Sequence, residues 1–206
     1  MRPAWRNTLL VVAALLASLL GAAALVAWLS MREWVLPLTS LGGSGQAGRA
    51  LVVYQPGPSD WPDRVTWAFA HGLVASGWRV DQTSASRQAV ADLAGYDLLV
   101  LASPVHGAAP APALTRYLRR LGDLDGQPVV LVFSAVADAG PALEAGAAQV
   151  AAQRGRLVGR FGYAAWRPGA APRSPAAVSE GDLAVSLARD AGQGLRVGYL
   201  DMDQGR

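Results

Sequence analysis

The chain has 206 residues, a formal net charge of +3 and 18 basic residues, all of them arginine. Charge this thinly spread argues against a nucleic-acid surface, which needs a dense basic stripe. The absence of cysteine removes disulfides, thiolate nucleophiles and iron–sulfur ligation. His71 and His106 have no carboxylates at metal-ligand spacing, so no metal is expected. With no lysine there is no P-loop, and with no G-x-S-x-G there is no hydrolase elbow.

Residues 1–7 form a short tail with Arg2 and Arg6. Residues 8–29, TLLVVAALLASLLGAAALVAWL, carry no charge and exceed the about 20 residues that cross a hydrocarbon core. Trp5, Trp28 and Trp34 bracket the run as interfacial aromatics do. A single-pass membrane anchor is expected; the alternative is a cleaved signal peptide, whose apolar region is normally shorter, about 7 to 15 residues. Counting Arg2, Arg6 and the terminal amine against Arg32 and Arg49 puts the amino terminus in the cytoplasm and the following domain outside.

Residues 30–48 end in LGGSGQAG, the composition of a flexible linker. Gly43, Gly45 and Gly48 spell G-x-G-x-x-G, but the motif precedes a strand instead of following one, so it is no dinucleotide fingerprint. Residues 49–206 then alternate in type. Strands are expected at 50–54, 78–82, 97–102, 129–134 and 157–163, and helices at 63–76, 86–93, 111–121, 140–154 and 179–191. Gly77 ends the first of these helices and Ser179 caps the last. Residues 166–178, rich in Pro, Ala and Gly, form an irregular excursion. The runs DLLVLAS and VVLVFS are nearly all apolar, as strands covered on both faces are. Strict alternation makes an α/β fold with a doubly wound, five-stranded parallel sheet.

The segment from Ser103, SPVHGAAPAPALTRYL, resembles the flavodoxin-like superfamily, where a buried strand opens into Ser-Pro, an apolar residue, a ring-bearing residue and Gly. The resemblance covers roughly residues 49–192. It implies strand order 2-1-3-4-5, a site at the switch point between the first and third strands, and FMN as cofactor. On that reading Ser103, Pro104, Val105, His106 and Gly107 flank the isoalloxazine, with His106 where relatives often place tyrosine. Ser134 and Ala135 line the other side of the ring, with Trp166 placed either to cover it or, as a packing residue, to hold the final loop onto the sheet. The phosphate belongs in the loop after the first strand, at Gly57, Ser59, Asp60 and Trp61. That loop, QPGPSDWPD, departs from the family pattern: Pro56, Pro58 and Pro62 lack an N–H, Ser59 is its one hydroxyl, and Asp60 and Asp63 place negative charge where a dianion would lie.

The sequence therefore points to a membrane-tethered flavodoxin-like protein that binds FMN and passes electrons to a redox partner protein or a quinone. A flavin-less pseudo-flavodoxin serving as a binding or assembly module is the alternative. A third reading, an FMN-dependent quinone or NAD(P)H reductase, has no pocket motif to support it. The resemblance favours a cytoplasmic domain, where flavin reductases usually lie, against the charge count.

Overall fold

The computed structural model describes residues 4–57, 59–165 and 179–195. The chain divides into two units at residues 32 and 33. The first is one helix, α1 (Ala4–Met31), with Leu9, Leu10, Leu15, Leu19 and Leu20 exposed. Among the described residues no helix is long and apolar enough to cross a membrane, so the anchor expected over residues 8–29 rests on the sequence and is not carried by the fold.

The second unit is a sheet covered on both faces by helices. Its elements are β1 (Thr39–Gly42), β2 (Gly48–Tyr54), α2 (Trp61–Ala75), β3 (Trp78–Ser84), β4 (Leu98–His106), β5 (Ala109–Pro110), α3 (Pro112–Leu121), β6 (Pro128–Ala135), α4 (Gly140–Ala152), β7 (Arg156–Ala164) and α5 (Glu180–Gly194). The sheet runs β1-β3-β2-β4-β6-β7, with β5 attached to β4. Seven strands replace the five expected, so the plain order 2-1-3-4-5 does not describe the whole sheet. Within it, β3-β2-β4-β6-β7 are mutually parallel.

Both faces of the central strands are buried, which is why they read as unbroken apolar runs. Ala50, Val52, Val100 and Val132 pack under α2 and α5. Leu51, Val53, Leu99, Leu101, Leu131 and Phe133 pack under α3 and α4. In α2, Val65, Phe69 and Leu73 recur every fourth residue and all are buried. Gly77, at φ +93, then reverses the chain in a conformation that favours glycine. Helices α2 and α5 cross in backbone contact: a Cβ built on Gly72 would lie 2.1 Å from the Arg189 carbonyl oxygen, and one on Gly192 2.2 Å from that of Phe69.

Two expectations are corrected. Residues 86–93 form no helix. The Tyr117 hydroxyl donates to the Val90 carbonyl at 2.7 Å, and Arg120 donates to the carbonyls of Arg87 and Ala89. Arg120 of α3 thus takes two carbonyls, of Arg87 and Ala89, that a helical ladder would use. The region expected as linker also contributes to the sheet. β1 pairs antiparallel with β3, the Leu36 N–H donates to Ser84 Oγ at 2.8 Å, and Thr83 Oγ1 donates to the Leu36 carbonyl at 3.1 Å. This covers an edge that would otherwise present unpaired backbone groups.

At the amino ends of the strands, Arg49 Nε and Nη2 donate to Asp81 Oδ2 at 3.0 and 2.6 Å, and the Tyr96 hydroxyl donates to the same oxygen at 3.1 Å. The Arg49 guanidinium lies 4.4 Å from the Tyr96 ring centre. Burial alone would raise the Asp81 pKa, but donors from Arg49, Tyr96 and Ser40 outweigh it and hold the carboxyl below its ordinary range.

Candidate functional site

Parallel strands β2 and β4 are neighbours, and their helices leave on opposite faces of the sheet, the switch-point arrangement that in open α/β sheets sets a ligand crevice beyond the carboxyl ends. Three segments border it: residues 55–60 after β2, the hairpin 103–110, and residues 136–139 after β6.

The hairpin is more ordered than a loop. β4 continues through Ser103, Pro104 and Val105 to His106, and then pairs back on itself, Val105 with Pro110 and His106 with Ala109. Ser103 Oγ donates to the Pro104 carbonyl at 2.7 Å and accepts the Ala111 N–H at 2.8 Å. Ser134 is buried, and its Oγ reaches the Ser103 carbonyl at 3.5 Å. Both hydroxyls therefore serve the hairpin and its neighbouring strand. Pro104 is buried in register with Ser134, Val105 packs against the core under α3, and Ala135 is buried.

What faces outward is the hairpin tip. Gly107 has φ +64 and nothing within 4 Å of a Cβ position, so its backbone is open to a flat molecule. His106 is half-buried, with Nε2 shut from solvent and without a hydrogen-bond partner. Burial lowers its pKa and favours the neutral imidazole. Past the end of β6, Val136 is 75% exposed. The expected residues thus separate into an internal set, Ser103, Pro104, Ser134 and Ala135, and an accessible tip at His106 and Gly107. Trp166 lies outside the described residues.

The loop after β2 is built differently. Ser59 and Asp60 are exposed. Asp60 occupies the N-cap of α2 but makes no side-chain cap bond. Pro62, in the first turn of the helix, removes a donor. A Cβ on Gly57 would lie 2.9 Å from Pro62 Cγ, so the loop is folded tightly on the start of its own helix. Trp61 sits against α5, where a Cβ on Gly181 would come within 3.2 Å of its Nε1, and Arg64 pairs with Asp182.

Sequence reasoning treated Asp63 as one of two unwelcome charges and missed its position. Its Oδ1 is buried without a hydrogen-bond partner. Burial pushes the carboxyl pKa up, a hydrogen bond from the Gly57 backbone draws it down, and Asp60 pushes it up again. The amide that would face a phosphate faces a carboxylate of the chain itself. The signal was present in the sequence as an acidic residue at the third helical position, a favoured place near the positive end of a helix.

The residues present fit FMN unequally. The hairpin tip, where Gly107 has open space at its Cβ position, fits a flat ring. The loop at residues 55–62 does not fit a phosphate dianion: its prolines lack donors, Gly57 is engaged, and Asp60 and Asp63 repel it.

No family model matches the chain, and no curated protein matches it. Solved structures do. A flavodoxin from the domain Archaea superposes with a TM-score of 0.54 at 14% identity, over 70% of this chain and 94% of that one. An azoreductase from Bacillus anthracis str. Sterne gives 0.55 at 11%, over 72% and 100%. The Flv1 flavodiiron core from Synechocystis sp. PCC6803 gives 0.53 at 14%, over 72% of this chain, which spans only 35% of that longer protein. Seven strands, five of them parallel, with helices on both faces and these three superpositions make the second unit a flavodoxin-like fold.

Proposed function

We propose that the protein is a membrane-tethered flavodoxin-like electron carrier that holds FMN chiefly by its isoalloxazine ring and only weakly by its phosphate. The observation carrying this reading is the accessible hairpin tip, with open Gly107 and half-buried His106, at the carboxyl end of β4 where the switch point between β2 and β4 lies. The neighbours named flavodoxin support it at the level of fold. When bound, the flavin supplies the redox chemistry; the chain's part is to seat the ring and shield one side from water. Electrons would pass to a redox partner protein or a membrane quinone. The tether reading rests on the charge-free residues 8–29 and on the exposed apolar side chains of α1; a single-pass position in the cell membrane completes the proposal, with the arginine count favouring a domain outside and the flavodoxin resemblance one inside.

The flavin-less binding module is the second reading, and Asp63 with its flanking prolines favours it. Titrating FMN and riboflavin into the full chain in detergent separates the two, with quenching of flavin fluorescence as readout. The carrier reading expects saturable quenching by both, with affinities within about tenfold because the phosphate gains few hydrogen bonds. Absence of quenching by either flavin leaves the module.

A further inference from the structure

A second cavity lies away from the flavin crevice, on the β1–β3 side of β2. It has a volume of about 230 Å³, and its lining includes Leu36, Pro37, Leu41, Tyr54, Trp67 and Gln82. Leu36 and Pro37 belong to the strap that covers the sheet edge, and Trp67, 47% exposed, stands on α2. The wall is almost wholly apolar. Its threonine hydroxyls have partners: Thr83 Oγ1 donates to the Leu36 carbonyl, and Thr39 Oγ1 lies 3.4 Å from the Pro37 carbonyl.

Gln82 is the exception. It occupies the position in β3 that continues the inward row Trp78 and Val80, where an apolar side chain is the expected choice. Only 4% of it is exposed, and both Nε2 and Oε1 are buried without a hydrogen-bond partner. Buried carboxamides are ordinarily satisfied, and one left with both ends unmet calls for a reason. Its terminal torsion is soft, so the amide can turn toward the hollow at little cost. A carboxamide offers a donor and an acceptor side by side. Its complement is a molecule carrying an acceptor and a donor side by side, on a body small and apolar enough for walls of leucine, proline and tryptophan.

We infer that this cavity is a binding site for a small, flat, mostly apolar molecule with a lactam- or imide-type edge, recognised by paired hydrogen bonds to Gln82 and by contact with Trp67 and the 36–41 strap. It is independent of the flavin reading, since no residue proposed to touch flavin lines it.

The test uses 2-quinolone, a flat bicyclic lactam, titrated into the isotopically labelled full chain in detergent. The Gln82 side-chain amide is followed by NMR and assigned by its loss in Gln82→Met, a substitution close in length. The inference expects saturable shifts of that amide, a binding constant weakened about tenfold or more in Gln82→Met, and no displacement by excess FMN. An unshifted Gln82 amide at saturating 2-quinolone overturns it. So does equal binding by a folded Gln82→Met variant, or displacement by FMN, which would put the lactam in the flavin crevice.

Discussion

Replacing Gly72 by alanine tests whether the crossing of α2 and α5 is set by direct backbone contact. Two effects oppose each other. Alanine in a helix interior is better than glycine by about 1 kcal/mol. Against this, the new Cβ would stand 2.1 Å from the Arg189 carbonyl oxygen and 2.8 Å from the Gln193 nitrogen. Both are backbone atoms and cannot rotate aside. Restoring ordinary contact requires α5 to retreat by roughly 1 Å from a close-packed face, and overpacking of this kind costs about 1 to 3 kcal/mol or more. The crossing buries Ala184 and Ala188 against Phe69 and Leu73, so the retreat also loosens apolar contact. The steric term, set at the upper part of that range by two unyielding backbone atoms, wins and leaves a net loss of about 1 to 2 kcal/mol, or roughly 2 to 8 °C in Tm for a domain of this size. Thermal unfolding of the full chain, followed by circular dichroism, measures it. Gly194→Ala is the control: it lies at the end of the same helix with nothing within 4 Å of its Cβ position, and it should leave Tm unchanged or slightly raised. A Gly72→Ala variant as stable as the parent would refute the backbone crossing.

Two further outcomes follow from the carboxylates. The folded state raises the Asp63 pKa above its ordinary 3.8, first through burial, so the fold binds the proton more tightly than the unfolded chain does. Stability therefore falls as pH rises from near 3.8 through the folded pKa and stays lowered above it. Asp63→Asn should be the more stable form at pH 7 in urea unfolding, should lose this fall, and should bind FMN more tightly relative to riboflavin; a parent that is the more stable at pH 7 refutes the buried charge. Asp81 behaves oppositely, since its donors hold the carboxyl below 3.8. Its contribution is fully present above the unfolded value and is lost as pH falls through the folded one. Asp81→Asn should lower stability at pH 7 while flattening the acid limb of the same profile, and an acid limb identical to the parent's would remove Asp81 from the account.

The parallel strands were legible because burial on both faces leaves an unmistakable apolar run, as in LLVLA and VVLVF. Ser179 was legible as a cap, and its side chain accepts the Asp182 N–H. The missing helix at residues 86–93 was not, because the carbonyls of Arg87 and Ala89 are claimed by Arg120 from about thirty residues away. The hairpin was hidden for a different reason: Pro104 and Gly107 are loop signals locally, whereas pairing with β6 and the Ser103 hydroxyl make the segment a strand. Within the candidate site, residue type could not tell an inward serine from an outward one: Ser103 and Ser134 are buried, whereas Ser59 is exposed. Gln82 carried no signal at all, since a polar residue in a short alternating strand reads as solvent-facing until its neighbours are known.

The strap at residues 34–42 has a consequence for how the unit can be excised. A fragment beginning at Arg49, where the apolar grammar starts, would strip β3 of its antiparallel partner and bare a border able to recruit a second molecule edge to edge. The opposite border, β7, carries its own deterrent in the arginines at 156 and 160. The compact unit accordingly starts near Glu33, and the stretch that looks like a spacer occupies the border along which a bared sheet would pair with another.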